Sequence, residues 1–246
     1  MPRFFVSQDD ISPTHIHITG DDAHHIGKVL RMRVGEEITL CDGAGCDYTA
    51  EIEQVSPSEV SARILSSQAN DTEPPVEVWL FQALPKASKM EYITQKCTEL
   101  GVCHIVPCVM SRCVVKLDGE AAMRKKVERW QSVANEAAKQ SERGIIPTVE
   151  MPMVLGQAID AIRGMDIGFA AYEKERVGSL HSVLKGQDSP KTIGYLIGPE
   201  GGIADDEAQK LADAGITAVT LGKRILRTET AGEAVLSMIM YELGDL

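Results

Sequence analysis

No stretch of the chain is apolar for the about 18–20 residues that a membrane-spanning helix takes. The opening MPRFFVSQDD lacks the apolar core of a secretory signal, which predicts a cytoplasmic protein. The six cysteines, Cys41, Cys46, Cys97, Cys103, Cys108 and Cys113, include no C-x-x-C pair, and no Cys/His cluster has zinc-ligand spacing. Neither a disulfide framework nor a metal is therefore expected. His15 and His17 would share one face of a strand, but no third ligand accompanies them. A Walker lysine loop and a G-x-S-x-G elbow are both missing. With 43% hydrophobic and 25% charged residues, the composition excludes disorder and fibre and describes an ordinary globular chain.

Positive charge is also scarce. The net charge is −11, which taken over the whole chain argues against nucleic acid, because phosphate contacts need Lys and Arg. The deficit is uneven. Residues 1–73 carry 5 basic against 13 acidic residues, whereas 110–143 carry 8 against 5. Basic residues gather at Lys28, Arg31 and Arg33, and again between Arg112 and Arg143.

Two regions follow from the pattern. The first reads as short strands, at 4–6, 15–19, 36–42, 47–55 and 59–65, with one helical stretch over 21–32 that Asp21 or Asp22 can cap. This predicts a small β-barrel. SSQANDTEPP (66–75) is polar, ends in two prolines and reads as the linker. Beyond it strands and helices alternate. Strands are expected at 76–84, 102–109, 167–173, 191–198 and 216–222, and helices at 88–101, 120–143, 154–162, 204–215 and 229–244. That alternation predicts an α/β domain with a parallel sheet covered on both faces.

CDGAGCD (41–47) looks at first like a cofactor loop. A strand-like run follows it where a phosphate loop needs a helix, so it reads as a hairpin turn. LIGPEGGIADDE (196–207) is a stronger candidate. An apolar strand runs into Gly198, Pro199, Glu200, Gly201 and Gly202 and then into an acidic helix start. Such a loop lies at the carboxyl end of a parallel strand, where open α/β sheets bind ligands. LGKRILRTETA (221–231) repeats the logic one strand later, and Arg227 falls just before a helix N-terminus, where it opposes the helix dipole. NEAAKQSER (135–143) sets Glu136, Gln140 and Arg143 on one helical stripe.

These segments, together with HHIGKVLRMRVG (24–35), KMEYITQKCTELG (89–101), SRCVVK (111–116) and the tail GDL (244–246), resemble the ribosomal RNA small subunit methyltransferase E family over nearly the whole chain. The resemblance implies a PUA-like barrel over residues 1–72 that helps grip RNA. It implies a SPOUT methyltransferase domain over 73–246 with a deep trefoil knot, which general connection rules would not suggest. It also implies a homodimer, S-adenosylmethionine as cofactor, and methylation of N3 of a uridine in 16S rRNA of the small ribosomal subunit. Two other readings stand beside it: a related knotted enzyme acting on tRNA or a ribose 2′-OH, which shares the cofactor loops but does not explain the N-terminal barrel with HIGKVLRM, and a non-enzymatic RNA-binding scaffold, against which the intact GPEGG and LRTETA loops argue.

Under this reading the cofactor is cradled by Leu196, Ile197, Gly198, Pro199, Glu200, Gly201 and Gly202, and by Leu221, Gly222, Ile225, Leu226, Arg227 and Thr228. Arg227 stabilises the uracil anion. Glu200 or Glu229 takes the N3 proton; the sequence does not choose between them, and water can serve instead. A paired uridine would hide N3, so the base must be unpaired or flipped. RNA phosphates are expected to meet Arg3, Lys28, Arg31, Arg33, Lys86, Lys89, Arg112 and Arg143, with His25 and Gln140 beside them.

Overall fold

The structure is a computed structural model and describes residues 2–56, 58–115, 119–185 and 189–246. Lys116, the end of the SRCVVK segment, lies outside them. Contacts divide the chain into two units, 1–73 with 138–146, and 74–137 with 147–246.

The first unit is a five-stranded sheet of β1 (Arg3–Phe5), β2 (His15–Thr19), β3 (Glu37–Cys41), β4 (Cys46–Val55) and β5 (Glu59–Ala69), in the order β1-β3-β4-β5-β2. Alternation builds its core. In β2, Ile16 and Ile18 point inward and join Phe4, Ile38, Leu40, Ile52 and Val60. His15 and His17 face outward against Glu53 and Glu59, at 3.1 and 2.8 Å. Among the described residues no ladder joins β1 to β2, so hydrogen bonding leaves the expected barrel open; β1, at three residues, is too short to continue it. The CDGAGCD segment is the β3–β4 hairpin turn. Asp42 Oδ1 accepts from Ala44 N (2.8 Å) and Cys46 N (3.0 Å).

Two expectations are corrected here. The helix expected over 21–32 is only α1 (Gly20–His24). The chain then widens into a π turn over His25–Val29, where Leu30 N donates to His25 O (2.9 Å), and ends at Arg31 with φ +55°. No side chain caps α1, and Asp22 instead accepts from Lys139 Nζ (2.9 Å). The linker is also shorter than 66–75, because Ser66–Ala69 continue β5 opposite Cys46–Thr49.

The second unit holds β6 (Glu77–Ala83), α2 (Lys89–Glu99), β7 (His104–Val109), most of α3 (Glu120–Gln140), β8 (Thr148–Val149), β9 (Met153–Val154), α4 (Leu155–Arg163), β10 (Ile167–Ala171), α5 (Leu180–Leu184), β11 (Thr192–Ile197), α6 (Asp205–Asp213), β12 (Thr217–Val219) and α7 (Thr228–Leu243). Every pairing is parallel, in the order β12-β10-β11-β6-β7-β8, with β9 also on β7. This is the expected α/β domain. One core cluster contains Val78, Leu80, Ile93, Phe169, Tyr195 and Leu236, and another contains Phe81, Val106, Ile162, Leu196 and Ile203. Pro107 is tolerated inside β7 because β8 pairs with His104–Ile105 and β9 with Cys108–Val109, so it falls between the two short partners. Those two-residue strands were not expected; they are too short to carry a periodic signal.

Residues 138–146 cluster with the first unit because one carboxylate gathers them. Glu73 accepts from Arg143 Nη2 (2.6 Å), Gly144 N (2.9 Å) and Ile145 N (3.0 Å). Arg3 Nη2 donates to Arg143 O (3.0 Å), and both Arg3 amino groups reach Asp47. Expected to meet phosphate, Arg143 is instead 3% exposed, with its charge answered inside the unit. Removing one member of a buried pair leaves the other's charge uncompensated. Arg143→Met should therefore cost about 3 kcal/mol in equilibrium chemical unfolding of the whole chain, whereas Lys28→Met, at an exposed position, should cost less than about 0.5 kcal/mol. Equal stability of the two variants would refute the network.

Candidate active site

Parallel strands deliver their loops to one edge of the sheet, and a cavity of about 510 Å³ opens there in the second unit. The ends of β10 and β11, the loop from Gly198 to Gly202, the segment Thr220–Arg227 and the first turn of α7 line it. Its volume lies in the ordinary range for small-molecule sites.

The loop after β11 carries little internal hydrogen bonding beyond Gly202 N to Pro199 O (2.9 Å). Side chains from elsewhere hold it. Thr228 Oγ1 donates to Gly198 O (2.7 Å), and Arg112 Nη1 donates to Gly201 O (2.8 Å) and Ile203 O (3.3 Å). Glu173 Oε2 accepts from Ile203 N (3.4 Å). The buried Glu207 accepts from Ala204 N (3.2 Å) and Ser111 N (2.8 Å). Gly202 has φ +72°, and a Cβ there would collide with Glu173. A Cβ on Gly198 would lie 2.9 Å from Ile203 Cγ1. Close packing and one left-handed residue thus require the glycines.

Charge concentrates on one rim. Lys89 Nζ, at the first residue of α2, lies 3.1 Å from Glu200 Oε1 and 3.1 Å from Glu229 Oε2. The second contact lacks hydrogen-bond geometry and is coulombic. Glu200 Oε1 also accepts from Lys86 N (3.0 Å). Desolvation pushes the Glu200 carboxyl up, but the Lys86 amide, its own amide and the Lys89 ammonium together outweigh it and hold the group below its ordinary value. The hydrogen bond to Glu200 raises Lys89 in turn, against some desolvation. Arg227 precedes α7, and among the described residues its guanidinium has no carboxylate partner.

Most of the expected cofactor residues converge on the cavity. Ile197, Gly198, Pro199, Glu200, Gly201, Gly202, Leu221, Gly222, Ile225, Leu226, Arg227 and Thr228 all line it. Leu196 does not; it is wholly buried in the core. Glu229 stands behind Lys89 rather than in the lining. Lys89 and Arg112, expected at phosphate, are engaged with the site's own loop. Lys86 is exposed. In the first unit His25, Lys28, Arg31, Arg33 and Gln140 are exposed, while Arg3 is paired with Asp47. Sequence reasoning missed Glu173, Glu207 and Gln82. Glu173 carried a signal, an acid at the carboxyl end of a parallel strand, and Gln82 another, an amide inside an apolar strand. Among the described residues no group of three His, Cys, Asp or Glu side chains is placed to hold a metal ion, and no helix is long and apolar enough to cross a membrane.

Comparison with known proteins gives a consistent result. Residues 72–240 match the model of an RNA methyltransferase domain, and residues 18–65 that of an RNA methyltransferase PUA domain. The chain is 35% identical to ribosomal RNA small subunit methyltransferase E of Bacillus subtilis (strain 168), over 98% of this chain and 97% of that protein. It is 34% identical to the protein of that name from Mycobacterium tuberculosis, over 90% and 84%. Among solved structures, ribosomal RNA small subunit methyltransferase E from Neisseria gonorrhoeae bound to S-adenosyl methionine superposes with a TM-score of 0.87 at 32% identity, covering 98% of this chain and 97% of that one.

The rim charges give a pH signature. A carboxylate whose folded pKa is depressed contributes stability above its unfolded value, near 4.3, and loses that contribution as pH falls through the folded value. Lys89→Met removes the ammonium and lets the Glu200 pKa rise. The variant should be less stable than the parent by roughly 1 kcal/mol at pH 7, with the gap closing as pH falls to about 3. Equilibrium unfolding across that range checks this; a gap independent of pH would contradict it.

Proposed function

The chain belongs to the ribosomal RNA small subunit methyltransferase E family, and from that premise we propose that it uses S-adenosylmethionine to methylate N3 of a uridine in 16S rRNA of the small ribosomal subunit, in the cytoplasm. The observation that carries the reading is the cavity of backbone-rich loops with an unopposed Arg227 on its edge. The residues present fit the cofactor. Gly198, Gly201 and Gly202 add no side chains of their own to the lining, and Leu221, Ile225 and Leu226 supply apolar surface. When bound, S-adenosylmethionine supplies a methyl group that is already activated.

The chain's own residues then have two tasks. One is orientation, which is worth several kcal/mol when reacting atoms are held in line. The other is disposal of the N3 proton. Arg227 stabilises negative charge on a uracil oxygen as N3 is deprotonated, in an environment less aqueous than bulk. Glu200 and Glu229 are the candidate acceptors of the proton, and Lys89 Nζ lies 3.1 Å from a carboxylate oxygen of each. RNA phosphates meet the exposed Lys28, Arg31 and Arg33, with His25 beside them, and Lys86 and Gln140. Val29 and Val34 are exposed among the basic residues of that first patch, at 60% and 64%.

Two properties of the family extend the proposal. The loops around the cavity are threaded as a deep trefoil knot, and the chain acts as a homodimer. Met238 and Tyr241 on α7 are exposed beside Leu180 and Leu184, which supports an apolar contact there.

Nucleotide mass mapping of small subunits from cells with and without the protein tests the product. Arg227→Ala should lower the single-turnover rate roughly 10²–10³-fold with little change in cofactor affinity. The loss should shrink as pH rises, because hydroxide then removes the N3 proton unaided. A loss that does not vary with pH, joined to weakened cofactor binding, would make Arg227 a holder of the loop instead.

A further inference from the structure

Gln82 is wholly buried in β6, a central strand of the parallel sheet, and does not line the cavity. Its amide nevertheless touches the cavity's framework. Gln82 Nε2 donates to Ala83 O (3.0 Å) and to Thr228 Oγ1 (2.9 Å), and Thr228 Oγ1 donates to Gly198 O (2.7 Å). Gly198 opens the loop after β11, and Thr228 is the first residue of α7, directly after the segment 220–227.

The direction of each bond is forced by the one before it. Ala83 O can only accept, so the amide must turn its Nε2 toward it; the flipped amide would set two oxygens against each other. With an N–H aimed at Thr228 Oγ1, that hydroxyl cannot point its single hydrogen at Gln82. It points at Gly198 O instead. One peptide carbonyl in the sheet thereby fixes an amide, the amide fixes a hydroxyl, and the hydroxyl fixes the loop. Gln82 Oε1 takes no part and, among the described residues, has no hydrogen-bond partner; it faces Gly232 of α7.

We propose that Gln82 is a positioning residue that sets the hydrogen-bond direction of Thr228 and so locks the two cavity-lining loops to each other and to the centre of the sheet. Its consequence for cofactor binding rests on the S-adenosylmethionine reading above. The lock itself is a property of the free protein. Both loops are joined through one hydroxyl, so releasing it frees both together.

The test uses the full-length chain and the variants Gln82→Met, Thr228→Val, Thr228→Ser and the double variant Gln82→Met/Thr228→Val. Amide hydrogen exchange without cofactor is the first measurement. Exchange should rise in both 198–204 and 220–227 for Gln82→Met and for Thr228→Val, and stay near the parent's for Thr228→Ser, which keeps the hydroxyl. Increased exchange in one loop only, in neither, or equally in the serine variant overturns the proposal. Calorimetric titration with S-adenosylmethionine is the second. The dissociation constant should rise roughly tenfold in Thr228→Val and less in Gln82→Met. The double variant should be no weaker than Thr228→Val alone, because the two groups act in series. Multiplying effects, or a constant within about twofold of the parent in Thr228→Val despite a lower melting temperature, would give the pair a merely structural role. A parent chain that shows no binding would refute the cofactor reading, and the exchange result would still decide the lock.

Discussion

A loop that offers its backbone to a ligand cannot spend that backbone on itself, and burying it unpaired is costly. The segment from Gly198 to Ala204 meets this constraint with borrowed side chains. Its carbonyls are taken by Thr228 and Arg112, and its amides by Glu173 and Glu207. Donors answer carbonyls and carboxylates answer amides. These side chains arrive from the start of α7, the segment after β7, the end of β10 and the first turn of α6. The cavity is therefore set by the packing of the whole parallel sheet. Its shape depends on side chains far apart in sequence that fold into one ring around the loop.

The same constraint accounts for part of the acidic excess. A net charge of −11 looks like an obstacle to binding RNA. Yet Glu73, Glu173, Glu200 and Glu207 accept backbone amides at turns and loop ends. These are internal acceptors, and a surface potential is only a by-product of them. Basic residues divide in the same way. Arg3, Arg112 and Arg143 are held by the fold, whereas Lys28, Arg31, Arg33 and Arg227 are exposed. Whole-chain charge therefore says little about a local cluster such as Lys28, Arg31 and Arg33, whose exposed side chains carry positive charge regardless of the sum over the chain.

The parallel sheet and the position of its ligand edge were legible because they rest on periodicity and on glycine chemistry. Strand–helix alternation placed β6 to β12 apart from the two shortest strands, and Gly198, Gly201 and Gly202 marked the loop. What escaped the sequence depends on distant partners. Polarity made SSQA look like linker, although its backbone pairs with the hairpin strand β4. The helix from residue 21 lost its second half to a π turn, in which Gly27 passes close to Val55; a Cβ there would lie 3.3 Å from Val55 Cγ1. Arg143 read as a surface cation because Glu73, seventy residues away, is not visible along a helical stripe. Gln82 was missed for a related reason: an amide in an apolar strand signals a buried polar contact but does not name its partner, and Thr228 lies far along the chain.

Two residues of the rim run against their local helices. Lys89 is the first residue of α2 and Arg227 the residue before α7, and a cation near a helix N-terminus costs about 0.3–1 kcal/mol where an acid would stabilise. Either alone would be unremarkable, since surface charges tolerate such placement. Both lie on the lining of one cavity, and Lys89 is paired with Glu200 and Glu229. Lys89 is neutralised by those carboxylates and so stays in place without a ligand. Arg227 has no such partner among the described residues, and its field is left to whatever enters. A pair of cations, one balanced and one unbalanced, can hold a proton acceptor ionised at one point of a cavity while stabilising developing negative charge at another. Deprotonating a weakly acidic N–H requires both at once, because the proton must have a destination and the charge left behind must have a counterion.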